Sequence, residues 1–344
     1  MRQELLTWYR RSRRDLPWRQ TSDPYAIWVS EIMLQQTRVA VVVERYTAFL
    51  QRFPSIQLLA KADEQDVLAL WSGLGYYRRA RMLHKAARSV ISDHGGIMPS
   101  TATGLRQLAG IGSYTAAAIA SIAHNEPIAV VDGNVERVLS RIQGWHSHDT
   151  VSEAAVRREV DEIAQTLVDP HHAGDYNQAI MELGATVCTP RNPQCLICPW
   201  ASECATLGEH RTPKRAPMTT RESACALITR ESSAAKEILL EQRPAANSVM
   251  PGLWELPQIE SAIPAEVPIL TVRHAIMQVN YTVHVHSLEA AQFPTSIARR
   301  CWFPAEQAAS MALTGLARKI LTKVHLISSG HRHAIAPHAG TRVV

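Results

Sequence analysis

Apolar positions recur at helical spacing through most of the first two hundred residues. The polar cluster Asp63-Glu64-Gln65-Asp66 precedes Val67, Leu68, Leu70 and Trp71, and the run stops at Gly73, which predicts a short helix with an acidic start and a glycine end. Tyr77 to Ile91 predicts another helix. Arg78, Arg81, Lys85 and Arg88 recur along it at steps of three, four and three, so one face is basic; a solvated surface and a phosphate-contacting surface both suit that stripe. The stretch LAGIGSYTAAAI, Leu108–Ile119, places Gly110 and Gly112 in a tight turn ahead of an alanine-rich helix. The apolar run that follows ends at Asp132, in PIAVVDGNVERVLSR, where an aspartate opens the next helix as its N-cap.

The pattern changes after HRTPKRAPMTTRES, His210–Ser223, whose prolines, hydroxyls and basic residues predict a linker. Beyond it, ACALITR and EILLEQRP read as strands, RHAIMQVNYTVHVHSL alternates in its second half, and SMALTGLARKIL reads as a closing helix. The expected organisation is a helical region over 1–209, a linker over 210–222, a smaller α+β domain over 223–326 and a disordered tail over 327–344. The tail histidines 331, 333 and 338 can bind metal, but an unstructured tail accounts for them more simply.

Composition adds limits. A chain of 344 residues, 46% hydrophobic and 19% charged, is ordinary for a globular protein of two or more domains. No apolar run approaches the ~20 residues of a membrane span, and the polar N-terminus lacks the apolar core of a secretory signal. These features predict a cytoplasmic protein with no membrane association, and a monomer is the default. The net charge is +5. Its distribution is uneven: residues 1–100 hold fifteen Lys/Arg against nine Asp/Glu, whereas residues 101–209 hold six against thirteen. A basic first segment favours a polyanionic partner only modestly.

Three features carry chemistry. Cys188, Cys195, Cys198 and Cys204 form a C-x6-C-x2-C-x5-C array, and the chain has only two other cysteines, Cys225 and Cys301. Four thiols so closely spaced in a cytoplasmic protein point to a tetrahedral centre, either zinc or an iron–sulfur cluster. Second, a glycine turn before a helix exposes backbone N–H groups at the positive end of the macrodipole, which can hold a phosphate without a cationic side chain. A ligand-free helix corner is the plain alternative for Gly110 and Gly112. Third, Glu31 sits among Val29, Ile32, Met33 and Leu34, where burial raises a carboxyl pKa. A protonated Glu31 and an ionised Asp132 would make the pair of acids that breaks a glycosidic bond. Taken alone, Asp132 is a helix cap.

These residues resemble the helix-hairpin-helix DNA glycosylase superfamily, and within it the MutY-type adenine DNA glycosylases. The resemblance runs over roughly residues 5–205, through LPWR (Leu16–Arg19), SEIMLQQTRV (Ser30–Val39), WSGLGYYRRARMLHKAA (Trp71–Ala87), the glycine hairpin, VVDGNVERVLSR (Val130–Arg141), NQAIMELGATVC (Asn177–Cys188) and the cysteine array. It implies an all-α catalytic region, a [4Fe-4S] cluster on the four cysteines in a loop over 188–204, and a Nudix-like C-terminal domain that recognises 8-oxoguanine. The implied partner is double-stranded DNA with a mispaired adenine, which leaves the stack to be reached. Glu31 would protonate the adenine and Asp132 would stabilise the sugar cation, with Tyr114 and Asn134 orienting them. Arg14, Trp18, Arg19, Leu34 and Glu182 would line the adenine pocket. Gln36 and Tyr76 would wedge into the duplex, and Thr37, Gly110 and Gly112 would contact DNA. Related enzymes that also nick the strand carry a lysine where this chain has Tyr114. Tyrosine cannot form a Schiff base, so a monofunctional glycosylase that leaves an abasic site is expected.

The chain departs from the family's pattern in two places. Gln258–Pro268 supplies only Glu260 and Glu266 where a Nudix hydrolase has its acidic box, so a reader rather than a hydrolase is expected. After Arg273-His274-Ala275, the usual Phe-Ser-His triplet is replaced by Ile276, Met277 and Gln278. Met277 cannot replace a serine hydrogen bond. Either Asn280 and Tyr281 help to read the lesion, or the preference for 8-oxoguanine over guanine is weakened. Two other functions compete: a monofunctional thymine mismatch glycosylase, and a catalytically silent DNA-binding protein held together by its cysteines.

Overall fold

The computed structural model describes residues 1–145, 153–210, 217–233, 235–259, 267–290 and 299–328. The chain divides into two compact units. One comprises Met1–Ala62 together with the chain from Arg78 through the cysteine loop; the other comprises Asp63–Tyr77 and the C-terminal strands and helices.

The first unit is helical: α1 (Arg2–Ser12), α2 (Pro24–Leu34), α3 (Val39–Arg52) and α4 (Ile56–Lys61) precede the excursion of α5 (Glu64–Leu70) into the other unit. The chain then returns as α6 (Arg78–Asp93), α7 (Ala102–Leu105), α8 (Ser113–His124), α9 (Gly133–Gln143), α10 (Glu153–Leu167) and α11 (Ala173–Thr186). Pro24 starts α2 without losing a helix hydrogen bond, and Asp23 caps it by accepting from Tyr25 N and Ala26 N. Every residue from Tyr25 to Met33 is buried, as expected of a helix apolar on all sides. It packs against the alanine face of α8, where small side chains allow close approach. A second core gathers Leu5, Leu6, Tyr9, Leu139, Tyr176, Leu183 and Trp200 between α1, α9, α10 and α11. Gly184 sets the contact of α11 with α9: a Cβ there would lie 2.6 Å from Cβ of Asn134. The cap expected at Asp132 opens α9, and Gly144 closes that helix at φ +71°.

The second unit holds two sheets. β1 (Thr219–Leu227) lies parallel to β6 (Val279–Ser287), which pairs antiparallel with β5 (Leu270–Ile276). β3 (Lys236–Gln242) pairs antiparallel with β2 (Thr229–Glu231), β4 (Trp254–Glu255) and β7 (Arg300–Pro304). The short α12 (Ala305–Ala308) and then α13 (Gly315–Lys323) complete it, and Ala317, Ile320 and Leu321 of α13 join the sheet residues Val272, Val283 and Val285 in one core.

Three details differ from the expectation. β1 begins at Thr219, inside the segment read as linker, because its first four residues are exposed and polar and are held only by pairing with β6. The stretch RHAIMQVNYTVHVHSL forms parts of two strands, turning at Met277-Gln278. The helix expected at Asp63 is present with Asp63 as its cap, but its segment clusters with the C-terminal unit instead of the helical region. Glu260, Glu266, the middle of the linker and most of the tail with its histidines lie outside the described residues. Among the described residues no helix is long and apolar enough to cross a membrane.

Candidate active site

The two acids and the tyrosine singled out in the sequence meet in the helical unit. α2 carries Glu31 into the core, where only 5% of it is exposed. Tyr114, in the first turn of α8, donates its phenol to Glu31 Oε2 at 3.0 Å. Burial pushes the Glu31 carboxyl up to about 7, against the opposing pull of the Tyr114 hydrogen bond, and the charge of Asp132 pushes it further up. Tyr114 itself is raised by burial and then by the charges of Glu31 and Asp132. Asp132 therefore lies near enough to act on both groups through its charge. Its Oδ1 accepts from the N–H groups of Asn134 and Val135, both at 2.8 Å, and its Oδ2 accepts from Asn134 Nδ2, also at 2.8 Å. The helix cap of α9 is thus also a carboxyl whose charge is felt by Glu31 and Tyr114.

Arg137, which the sequence reading passed over, holds this group from behind. Its Nη2 donates to Asn134 Oδ1 and to the carbonyl of Gly184, and its Nε donates to the carbonyl of Cys188. The link from Asp132 through Asn134 and Arg137 thereby reaches the first cysteine of the array. The i,i+3 spacing of Asn134 and Arg137 on α9 was the available signal.

Of the residues expected at the adenine pocket, Arg14, Arg19 and Glu182 are joined in one cluster. Glu182 on α11 is fully buried at its side chain and accepts from Arg14 and Arg19. Burial alone would raise its carboxyl, but the two guanidinium groups override that and hold it at about 2. Trp18 is buried edge-on against Tyr46 at 5.5 Å, and Leu34 is half-buried at the end of α2. Arg19 also lies close enough to Glu31 to lower its carboxyl pKa.

After α2, Gln36 is exposed with φ +55°. The turn is held by Arg79 of α6, which donates to the carbonyls of Ile32, Met33 and Gln35 and to Thr37 Oγ1. Arg79 was hidden in the sequence by the basic stripe beside it. In the hairpin between α7 and α8, Gly110 is required twice over. Its φ is +77°, and a Cβ there would come within 2.5 Å of Met82 Cβ. Gly112 has open space around it and begins α8 with no side chain capping the helix.

The four cysteines, with Arg141, Val187 and Pro193, rim a small pocket that is partly open to solvent. Among the described residues no His, Cys, Asp or Glu group is gathered around a single metal ion. Burial raises the Cys198 thiol, and Cys188, Cys204 and Cys195 raise it further, so the four sulfurs share one environment. Buried Arg141 donates to Cys188 Sγ at 3.4 Å and to the carbonyl oxygens of Thr189 and Pro190. An all-thiol donor set around a cavity, with a buried cation beside it, suits an anionic iron–sulfur cluster.

In the C-terminal unit, Tyr76 is 53% exposed with φ +46°, and Met277 is 72% exposed with φ +54°. Ile276 is half-buried at the end of β5, Gln278 and Asn280 are exposed, and Tyr281 packs on the sheet core.

Residues 29–165 match the HhH-GPD superfamily of base excision DNA repair proteins, and residues 188–204 match the iron–sulfur binding domain of endonuclease III. The chain is 40% identical over 314 residues to the adenine DNA glycosylase of Homo sapiens, covering 75% of this chain and 57% of that protein. It is 33% identical over 321 residues to the adenine DNA glycosylase of Schizosaccharomyces pombe, covering 75% of this chain and 69% of that protein. The solved structure of a thermostable thymine-DNA glycosylase is 32% identical with a TM-score of 0.55, over 60% of this chain and 94% of that one. The fold and the site thus define a helix-hairpin-helix base excision repair protein with an iron–sulfur domain. Within that class, the chain belongs to the adenine DNA glycosylase family. It spans about half the length of several curated relatives that it matches.

Proposed function

We propose that this protein hydrolyses the N-glycosidic bond of adenine mispaired in duplex DNA, preferentially opposite 8-oxoguanine, and leaves an abasic site without cutting the strand. The observation that carries the reading is the buried Glu31 carboxyl, raised to about 7, hydrogen-bonded by Tyr114 and under the charge of Asp132. An acid poised near neutral pH can protonate the adenine ring and make it a leaving group. Asp132, fixed by three N–H donors, stabilises the cationic sugar left behind until water adds. The first-turn amides of α8, uncapped by any side chain, hold a DNA phosphate beside Gly112. Tyr114 stands where a nicking enzyme needs a lysine amine, so the reaction stops at the abasic sugar.

The cysteines of residues 188–204 would hold a [4Fe-4S] cluster, which supplies a rigid, charged cross-link and no chemistry for hydrolysis. Because Glu182 is engaged by Arg14 and Arg19, this trio supports the pocket wall, with polar edges of the guanidinium groups left to meet the base. The C-terminal unit, read as Nudix-like, would contact the base opposite the adenine through Tyr76 and the Ile276–Gln278 turn. The likeness to a thymine-DNA glycosylase favours one second reading, release of thymine from a mismatch.

The test is a single-turnover assay on duplexes holding adenine opposite 8-oxoguanine, guanine or cytosine and thymine opposite guanine, each product examined with and without alkali. Adenine release opposite 8-oxoguanine, with strand breaks only after alkali, is the expected result. Thymine release alone would establish the second reading, and binding with no base release would leave a silent DNA-binding protein. Glu31→Gln and Asp132→Asn should each lower release by about 10²-fold or more while duplex binding persists; full activity in either would overturn its assignment.

A further inference from the structure

The segment Asp63–Tyr77 interrupts the helical region in sequence but folds with the C-terminal unit. Its attachment is specific. Arg318 on α13 donates through Nε to Ser72 Oγ at 2.8 Å, through Nη1 to the carbonyl of Ala309 at 2.9 Å and through Nη2 to that of Met311 at 3.0 Å. Ser72 is 1% exposed. Five residues later, Tyr77 donates its phenol to the carbonyl of Leu313 at 3.2 Å, just ahead of α13. Between these fastenings the chain turns at Gly73, φ +94°, and Gly75, φ +69°, and Trp71 Nε1 closes the turn on the carbonyl of Gly75. Trp71, Leu74 and Tyr77 are buried, so Tyr76 is the large side chain that the turn presents outward.

The same helix grips the other exposed turn of this unit. Lys319, the next residue on α13, donates to the carbonyl of Arg273 in β5 at 2.7 Å, and at the start of the helix a Cβ added to Gly315 would lie 3.6 Å from the His274 ring. β5 ends three residues later in Ile276 and the Met277-Gln278 turn. Two exposed turns, each with a non-glycine residue held at positive φ, are therefore fastened to consecutive residues of one helix. Left-handed backbone in bulky residues persists only where the surroundings enforce it, and it concentrates at functional sites.

We propose that α13 is a coupling element that holds the Tyr76 turn and the Ile276–Gln278 turn in one frame, with Arg318 as a positioning residue for reading the base opposite the adenine. The inference rests on the reading that both turns touch DNA. In this arrangement, the wedge belongs mechanically to the lesion reader, and lesion contact at one turn is felt at the other through packed helix and not through flexible chain.

The experiment uses the full chain and measures the Kd ratio between an undamaged duplex and one holding 8-oxoguanine opposite a non-hydrolysable 2′-fluoro-adenosine. Ser72→Ala combined with Tyr77→Phe deletes two hydroxyls and little volume, and should reduce the ratio roughly tenfold, the effect of losing about one to two hydrogen bonds. Arg318→Ala should reduce it as much or more, and Arg318→Lys, which keeps the charge on a single donor nitrogen, should recover part of the loss. Adding Tyr76→Ala to any of these should produce no further loss, because all act through the same side chain. An unchanged ratio in the hydroxyl double variant, or losses that add in full to that of Tyr76→Ala, would overturn the coupling. An unchanged ratio in Tyr76→Ala alone would instead remove the DNA-contact reading beneath it, and the proposal with it.

Discussion

At the scale of single residues, the site is a problem in proton placement. Glu31 is lifted to about 7 first by burial, while Tyr114 pulls it down by donating a hydrogen bond. As an acid it must hold its proton, so base release should fall as pH rises through about 7. Tyr114→Phe removes the downward pull, and the alkaline limb of the pH–rate profile should move to higher pH. An unmoved limb would mean that another group sets it. Glu31→Gln should lower single-turnover release by about 10²- to 10⁴-fold, the usual share of a general acid. The same shift has a stability consequence. The unfolded carboxyl ionises near 4.5, whereas the folded one keeps its proton until about 7. Its favourable contribution is therefore fully present below pH 4.5 and lost as pH rises through 7, by about 1.4 kcal/mol per pH unit across that window. Glu31→Gln should flatten the fall in melting temperature between pH 5 and 8, which thermal denaturation across that range would show.

Among elements, close helix contacts set where Asp132 and Asn134 stand. α9 and α11 approach so closely at Gly184 that an added Cβ would meet Asn134 Cβ at 2.6 Å and its carbonyl oxygen at 3.0 Å. Both are part of the backbone or next to it, so neither can swing aside. Gly184→Ala should push the start of α9 away, costing about 1–3 kcal/mol of stability, as overpacking does. It should also depress base release more than that stability loss explains at temperatures where the variant stays folded. A variant with wild-type stability and rate would show that the two helices are free to part. The basic face of α6 is a second element-scale device. Arg78, Lys85 and Arg88 are exposed on it. If they meet phosphates, replacing Lys85 by Gln should weaken binding to all duplex sequences alike and reduce the salt slope, d log K/d log[salt], by about 0.9 in magnitude. A slope equal to that of the parent protein would leave the stripe as a solvated face.

For the whole molecule, the iron–sulfur segment is a brace placed behind the acids. Arg137 runs from Asn134, the partner of Asp132, to the carbonyl of Cys188, and buried Arg141 reaches the same cysteine's sulfur. A cluster on Cys188, Cys195, Cys198 and Cys204 would neutralise both cations and lock the end of α11 to α9. Cys198→Ser should therefore give a paler protein with less iron per chain and a lower melting temperature. Its residual base release should fall with iron content across preparations. Undiminished activity in iron-free protein would show that the acids are held without the brace.

What the sequence determined by itself was everything written in a few neighbouring residues. The caps at Asp63 and Asp132 and the glycine turn at Gly73, just past α5, depend on backbone chemistry within one turn, and each stands close to where its local pattern places it. The close spacing of four cysteines marked a metal centre, zinc or iron–sulfur, for the same reason; the choice of iron–sulfur came from the family's pattern. The apolar surroundings of Glu31 foretold its burial, because a helix without a polar face has nowhere to put a carboxyl except the core. Tertiary structure alone decided the pairings between distant residues: Glu182 with Arg14 and Arg19, Arg79 with the turn after α2, Arg137 with Cys188, and Arg318 with Ser72. Each of these arginines looks in sequence like any other surface cation. Its five donors acquire meaning only when folding delivers carbonyls and carboxylates from tens or hundreds of residues away, a geometry that no local pattern encodes. The same holds for residues 63–77, whose helix was legible from its own spacing while its place in the C-terminal unit depended on bonds from Ser72 to Arg318 and from Tyr77 to Leu313.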